Sequence, residues 1–197
     1  IRDISNHYPE YNFIFLGRKE LDIVNKEAIR VLFDKEEFDY CVNTAAYTNV
    51  EKAESEKEKA FLVNGDGVKN LAKQCKKNNT TLIQISTDYV FDGKKNEGYY
   101  NYDNCNPKTH YGKSKYKGEL KIKESGCEYL IIRFGKVKTK MSKNHKNPPS
   151  TISAEKAGKI ISNKLEDNGL VHANNNLFII SKIIKLLPKK IIEIIGL

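Results

Sequence analysis

This 197-residue chain predicts an α/β fold, a doubly wound parallel sheet, and three observations support that prediction. Short apolar runs of strand length stand at 13–16, 40–42, 82–85 and 129–133, and each reads as a buried parallel strand. Helical stretches at 26–33, 54–63, 68–77 and 111–124 alternate with them at the spacing of βαβ units. A hydrophobic content of 39% beside 30% charged residues fits one globular domain and excludes a disordered chain.

The strand at 13–16 runs into Gly17 and Arg18, and that at 40–42 leads into Asn43-Thr44-Ala45-Ala46-Tyr47. The strand at 82–85 ends on Ser86-Thr87-Asp88. Ligands of a doubly wound sheet sit in the crevice at the carboxyl ends of its strands, so Gly17, Ala45 and Thr87 are expected to converge there. The alternating Glu and Lys of 51–59 read as a solvated helix face. The loop at 92–109, rich in Gly, Asn, Lys and Tyr, is expected over the site or on the surface. A second loop, rich in Lys, Asn and Pro, spans 136–151, and 153–166 beyond it reads as a helix capped by Ser153. The chain is thereby divided into a sheet-bearing domain at 1–151 and a C-terminal helical segment at 152–197. In the tail at 177–197, apolar clusters alternate with Lys182, Lys185, Lys189 and Lys190, and Pro188 breaks the run. Two readings stand for this tail: an interfacial helix in peripheral membrane contact, or a helix packed on the sheet edge or at a homodimer interface.

The chemistry points to Thr87, Tyr111 and Lys115. Tyr111 follows Thr87 by 24 positions (111 − 87), and Lys115 follows Tyr111 by four (115 − 111). Residues four apart share a helix face, which sets the Lys115 ammonium beside the Tyr111 phenol. The ammonium is expected to draw the phenol below its usual pKa of about 10. Tyr111 would then serve as a general acid/base near neutral pH, with Thr87 bonding the same substrate oxygen. That is the proton-donating half of a carbonyl reductase. Tyr-x-x-x-Lys alone also occurs on solvated helices; the strand-end Ser-Thr-Asp at this separation is what gives it meaning.

The net charge of +9 is spread among Glu-containing runs, so a nucleic-acid partner is not expected, whereas an anionic substrate or cofactor suits it. No apolar run reaches the roughly 18 residues of a membrane span, and no signal peptide opens the chain, so a cytoplasmic location is expected. Cys41, Cys75, Cys105 and Cys127 lack metal-binding spacing and read as reduced thiols. The four histidines (His7, His110, His145 and His172) are scattered, and no metal site is expected.

Three motifs stand in one chain: Asn43-Thr44-Ala45-Ala46-Tyr47-Thr48-Asn49-Val50-Glu51-Lys52-Ala53-Glu54, Ser86-Thr87-Asp88-Tyr89-Val90-Phe91-Asp92-Gly93, and Tyr111-Gly112-Lys113-Ser114-Lys115 continuing to Gly118-Glu119. Together they resemble the dTDP-4-dehydrorhamnose reductase family, extended members of the short-chain dehydrogenase/reductase superfamily, over about residues 1–133. The resemblance implies a Rossmann-like fold and NADPH- or NADH-dependent reduction of the 4-keto group of dTDP-4-dehydro-L-rhamnose, giving dTDP-L-rhamnose for cell-surface polysaccharide. It implies that Thr87, Tyr111 and Lys115 are the catalytic triad, with Lys115 also holding the nicotinamide ribose. Thr87 and Asp88 would face the sugar, Ala45, Ala46 and Tyr47 the nicotinamide side of the cofactor, and Asp22 and Ile23 the adenine. Arg18 is placed to clamp a 2′-phosphate, which favours NADPH. Plainer readings stand beside these: close packing for Ala45 and Ala46, a helix N-cap for Asp22, a solvated cation for Arg18, and helix packing for Asn64.

Two departures follow. The family's first strand and Gly-x-x-Gly-x-x-Gly turn would lie just ahead of Ile1, and no such turn occurs in this sequence, so the sheet is expected to lack both and to bind dinucleotide weakly. Ile1-Arg2-Asp3-Ile4 reads as the middle of a helix, with part of the amino terminus missing. After Arg133, the segment Phe134-Gly135-Lys136-Val137-Lys138-Thr139-Lys140-Met141 is similar instead to the Pro-Gly-x-Val-x-Thr-x-Met segment of shorter single-domain reductases of the superfamily, some acting on lipid-linked keto-sugars. There Thr139 would sit near the nicotinamide amide or the pyrophosphate. A non-catalytic binding or regulatory protein on the same fold is the remaining reading.

Overall fold

A computed structural model of the chain describes residues 2–95, 98–100, 102–138, 151–163, 169–173 and 189–194. Six strands build the main sheet: β1 (Tyr11–Leu16), β2 (Tyr40–Asn43), β3 (Thr81–Thr87), β4 (Tyr129–Phe134), β7 (Gly169–Ala173) and β8 (Lys189–Ile194). Their order is β1-β8-β2-β3-β4-β7, and every neighbouring pair is parallel. A small parallel pair, β5 (Val137–Lys138) with β6 (Ile152–Ser153), stands apart from it.

Alternation along the strands sends successive side chains to opposite faces. Cys41, Leu82, Ile131 and Ile194 enter one core with Ile29 and Phe33 of α1 (Lys26–Lys35), Leu71 and Cys75 of α3 (Val68–Lys77), and Ile122 of α4 (His110–Ser125). Val42, Ile83, Leu130 and Ile132 enter the other, against Ala157 and Ile161 of α5 (Ala154–Asn163). Helices on both faces make the sheet doubly wound. Helix α1 starts at the N-cap Asn25, whose side chain accepts from Ala28 N. In α3 the buried Val68, Leu71, Ala72 and Cys75 fall on one helical stripe. The stretch expected as one helix at 54–63 is instead a 3₁₀ turn (Lys52–Glu54), a short α2 (Lys57–Phe61) and a π-helical turn (Leu62–Gly67) that feeds α3.

The C-terminal segment departs most from expectation. Residues 152–197 were expected to be helical, but among the described residues α5 is the only helix there, and 169–173 and 189–194 are strands. β8 lies in the centre of the sheet, with Tyr11↔Lys189 through Leu16↔Ile194 on one side and Tyr40↔Ile191 through Asn43↔Ile194 on the other. The tail therefore supplies the strand between β1 and β2. The run Lys189-Lys190-Ile191-Ile192-Glu193-Ile194 is rich in β-branched residues that favour a pleated surface, and two open strand edges left inside a sheet would strand unpaired backbone groups. The Ile194 carbonyl accepts from both the backbone N and Oγ1 of Thr44, each at 2.8 Å. A membrane-surface helix through 189–194 is thereby replaced by a buried strand; 174–188 and 195–197 lie outside the described residues, as does Thr139. At the other end, Arg2–His7 forms a 3₁₀ helix.

Ile194 is fully buried, so Ile194→Ala is expected to cost about 2–4 kcal/mol in urea unfolding. Hydrogen exchange is expected to find the 191–194 amides among the slowest; fast exchange there, with a neutral Ile194→Ala, would contradict the central strand.

Candidate active site

Helix α4 and the end of β3 form the site, and small residues set how closely they meet. Thr109 caps α4 by accepting from Gly112 N at 3.0 Å, and Gly126, in the left-handed region at φ 68°, ends it. A Cβ at Gly112 would fall 2.3 Å from the Tyr89 carbonyl, and one at Gly118 would fall 2.2 Å from that of Asn64. Only glycine permits that approach.

The approach brings Thr87, Tyr111 and Lys115 together. The Thr87 hydroxyl donates to Asp88 Oδ1 at 3.1 Å and accepts from Tyr89 N at 3.3 Å. The Tyr111 ring meets Tyr89 edge-on at 5.6 Å. Lys115, one turn along, is buried and donates from Nζ to the Ile85 carbonyl at 2.7 Å. Electrostatically the site differs from the sequence expectation. Burial pushes the Tyr111 phenol up to about 12; the Thr87 hydroxyl opposes this, and Asp88 and Tyr89 add to it. Burial also drives the Lys115 amine down to about 8, against the pull of Glu119. The Lys115 amine is turned to a backbone carbonyl, so loss of water dominates the phenol and keeps it a neutral donor. Desolvation likewise raises the Asp88 carboxyl, opposed by the Thr87 hydroxyl.

A second cluster lies at the carboxyl ends of β1 and β2. Arg18, Asp22, Ala46 and Tyr47 line one cavity of about 320 Å³ with Lys52, Glu56, Lys59 and Val63. Asp22 is not the cap of α1; its Oδ1 accepts from Val24 N at 3.0 Å and its other oxygen faces Arg18 at 3.4 Å. Ile23 is core, packed so closely that a Cβ on Gly67 would lie 2.8 Å from it. Ala45 is buried, its N donating to Asn43 Oδ1 at 3.1 Å. Asn64, on the π-helical turn, ties the two clusters together. Its Oδ1 accepts from Tyr47 N at 2.8 Å, and its Nδ2 donates to the Tyr47 carbonyl and to Ser114 Oγ, which donates in turn to the Tyr111 carbonyl at 2.7 Å. A larger cavity of about 480 Å³ along α1 contains none of the predicted site residues.

Sequence reasoning named Glu119 only as a letter of a motif. Its carboxylate, on the same face as Tyr111 and Lys115, accepts from Ser86 Oγ at 2.6 Å and from two guanidinium nitrogens of Arg133. Both side chains are at most 1% exposed. Its place eight residues past Tyr111 (119 − 111), on the same helical stripe, was the signal available. Among the described residues no three His, Cys, Asp or Glu groups are placed to hold a metal ion, and no helix is long and apolar enough to cross a membrane.

A parallel doubly wound sheet with a Thr-Tyr-Lys cluster at its strand ends defines the short-chain dehydrogenase/reductase class of site. The family model described as the RmlD substrate binding domain matches residues 5–157, and the chain belongs to that family. It is 39% identical over 123 residues to the spore coat polysaccharide biosynthesis protein SpsK of Bacillus subtilis, covering 62% of this chain and 44% of that protein. It is 38% identical over 123 residues to the dTDP-4-dehydrorhamnose reductase of Aggregatibacter actinomycetemcomitans, covering 62% and 42%. The chain thus spans less than half the length of these curated relatives. The crystal structure of dTDP-4-dehydrorhamnose reductase from Bacillus anthracis in complex with NADP superposes with a TM-score of 0.80 at 27% identity, covering 89% of this chain and 70% of that one.

The buried Lys115 cation generates a stability prediction. Its folded pKa, about 8, lies below the ordinary 10.5, so the folded state is penalised at neutral pH by on the order of 3 kcal/mol and relieved as pH rises from 8 to 10.5. Lys115→Met is expected to stabilise the protein by about 1–3 kcal/mol at pH 7, after loss of the bond to Ile85, with the gain fading above pH 8. Destabilisation at pH 7 would show that the amine is not desolvated.

Proposed function

We propose that this chain carries the catalytic centre of a reductase acting on the 4-keto group of a nucleotide-activated deoxysugar, dTDP-4-dehydro-L-rhamnose, with dTDP-L-rhamnose as product. The observation that carries this reading is the placement of Thr87, Tyr111 and Lys115 at the β3–α4 seam, tied through Asn64 and Ser114 to Tyr47, which lines a cavity with Arg18, Asp22 and Ala46. The dTDP-4-dehydrorhamnose reductases among its relatives support the choice of substrate. The setting this implies is cytoplasmic biosynthesis of a polysaccharide precursor.

The residues present suit a dinucleotide. The cavity combines the Arg18 and Lys52 cations, which favour phosphate, with the Tyr47 ring, Ala46 and Val63, which favour a flat ring. Arg18, Asp22, Ala46 and Tyr47 would hold NADPH there, with Ala45 shaping the loop from beneath and Lys115 at the nicotinamide end; Ile23 contributes packing behind it. NADPH supplies the hydride when bound. Tyr111, kept protonated by its burial, donates the proton to the keto oxygen, and the Thr87 hydroxyl, turning its own proton from Asp88 to that oxygen, orients it. The Lys115 cation lies one helical turn away and stabilises the phenolate left behind. Asp88 holds the Thr87 hydroxyl until the substrate oxygen takes over that hydrogen bond, and would then face the sugar.

NADPH oxidation followed by absorbance on adding the 4-keto sugar nucleotide tests the reading. Tyr111→Phe is expected to lower kcat by about 10²–10⁴-fold while leaving NADPH binding, read by fluorescence, within a few-fold. Turnover unchanged in Tyr111→Phe would remove the proposed chemistry, and NADPH binding without any turnover would favour a binding role on the same fold.

A further inference from the structure

We infer that Glu119 is a positioning residue for this site: its buried carboxylate, held by Arg133 and Ser86, locks the strand end that carries Thr87 against the helix face that carries Tyr111 and Lys115, and its charge acts on Lys115 one helical turn away. The inference rests on the reductase reading for its kinetic consequence but not for its structural one.

Tyr111, Lys115 and Glu119 stand at i, i+4 and i+8 on α4, one stripe along one face. Across the β3–β4 ladder, Ser86 pairs with Arg133 and Thr87 with Phe134. One carboxylate therefore receives a hydroxyl from β3, at 2.6 Å, and a guanidinium from β4, with Nε at 2.9 Å. Three elements meet on it, and the residue after Ser86 is Thr87. Arg133 extends the lock outward, donating to Cys105 Sγ at 3.1 Å and lying 5.0 Å from the Phe91 ring centroid, so the 92–109 loop is tied to the same point. A charge-assisted fork of this kind fixes orientation as well as distance.

The electrostatic side follows from what surrounds Lys115. Glu119 is the carboxylate that acts to keep its amine charged, against burial. The other titratable groups around the helix act elsewhere: Asp88 and Tyr89 on Tyr111, and Cys105 and Tyr116 with the Arg133–Glu119 pair. Removing the Glu119 charge withdraws support from Lys115 and leaves Arg133 as a further cation nearby, so both changes push the amine towards the neutral form.

The test compares wild type, Glu119→Gln and the double variant Glu119→Gln/Arg133→Met, which removes the Arg133 charge left unpaired should the single variant fold poorly. Lys115 is titrated by NMR of ¹³Cε-labelled lysine, its signal assigned by its loss in Lys115→Met, and kcat is measured against pH. The expected result is a downward shift of the Lys115 midpoint by about one pH unit in a variant that retains native circular dichroism, with the alkaline limb of kcat moving by the same amount. Glu119→Asp is expected to recover most of the shift. A purely structural role would scale activity equally at every pH and leave the Lys115 midpoint in place, and that outcome would overturn the inference. Because the titration needs no substrate, a protein without reductase turnover would still report whether Glu119 governs Lys115.

Discussion

The structure depends on a cation buried at a seam. Lys115 sits where α4 meets β3, stripped of water, with its Nζ on the Ile85 carbonyl and Glu119 one turn away. Holding an ammonium there opposes folding, since burial disfavours its charged form. What offsets this is the closeness of helix and strand: Gly112 and Gly118 let α4 lie against the Tyr89 and Asn64 carbonyls, so the amine finds a backbone acceptor rather than apolar side chains alone. A protein selected only for stability would place a Met at this position.

The same seam sets the roles of the neighbouring groups. A phenol pushed up to about 12 is an acid that keeps its proton until an oxygen anion develops beside it, and the Thr87 hydroxyl, which donates to Asp88, is the second group proposed for that oxygen. The Asn64 and Ser114 relay then couples the Tyr47 loop to the backbone of Tyr111, so the cavity at β1 and β2 and the proton donor on α4 cannot move independently. The two halves of the proposed site are thus linked by hydrogen bonds as well as by the sheet.

Four of the main-sheet strands and the role-bearing face of α4 were legible in the sequence because their signals are local. An apolar run marks a strand, and a four-residue spacing marks a helix face. β8 was not legible, because its pairing partners lie 151 (191 − 40) and 178 (189 − 11) residues away along the chain and nothing in Lys189–Ile194 itself says which strands it joins. Glu119 was visible as a motif letter, but its partner Arg133 lies on β4, and their pairing exists only once α4 is packed against that strand. The expectation for Tyr111 failed in sign for a related reason: spacing fixes which residues are neighbours, whereas burial, which dominates that phenol, belongs to the packed molecule. The burial of the Ile23 side chain and the bond from Val24 N to Asp22 likewise belong to the packed molecule rather than to the spacing.

The most direct measurement of the central claim, that Thr87 and Tyr111 act on one substrate oxygen, is a double-mutant cycle on kcat. Groups acting as a unit lose their effect together, so Thr87→Val/Tyr111→Phe is predicted to be no more than a few-fold slower than Tyr111→Phe alone. Losses that multiply in the double variant would mean that the two side chains serve separate steps, and the shared site at the β3–α4 seam would be contradicted.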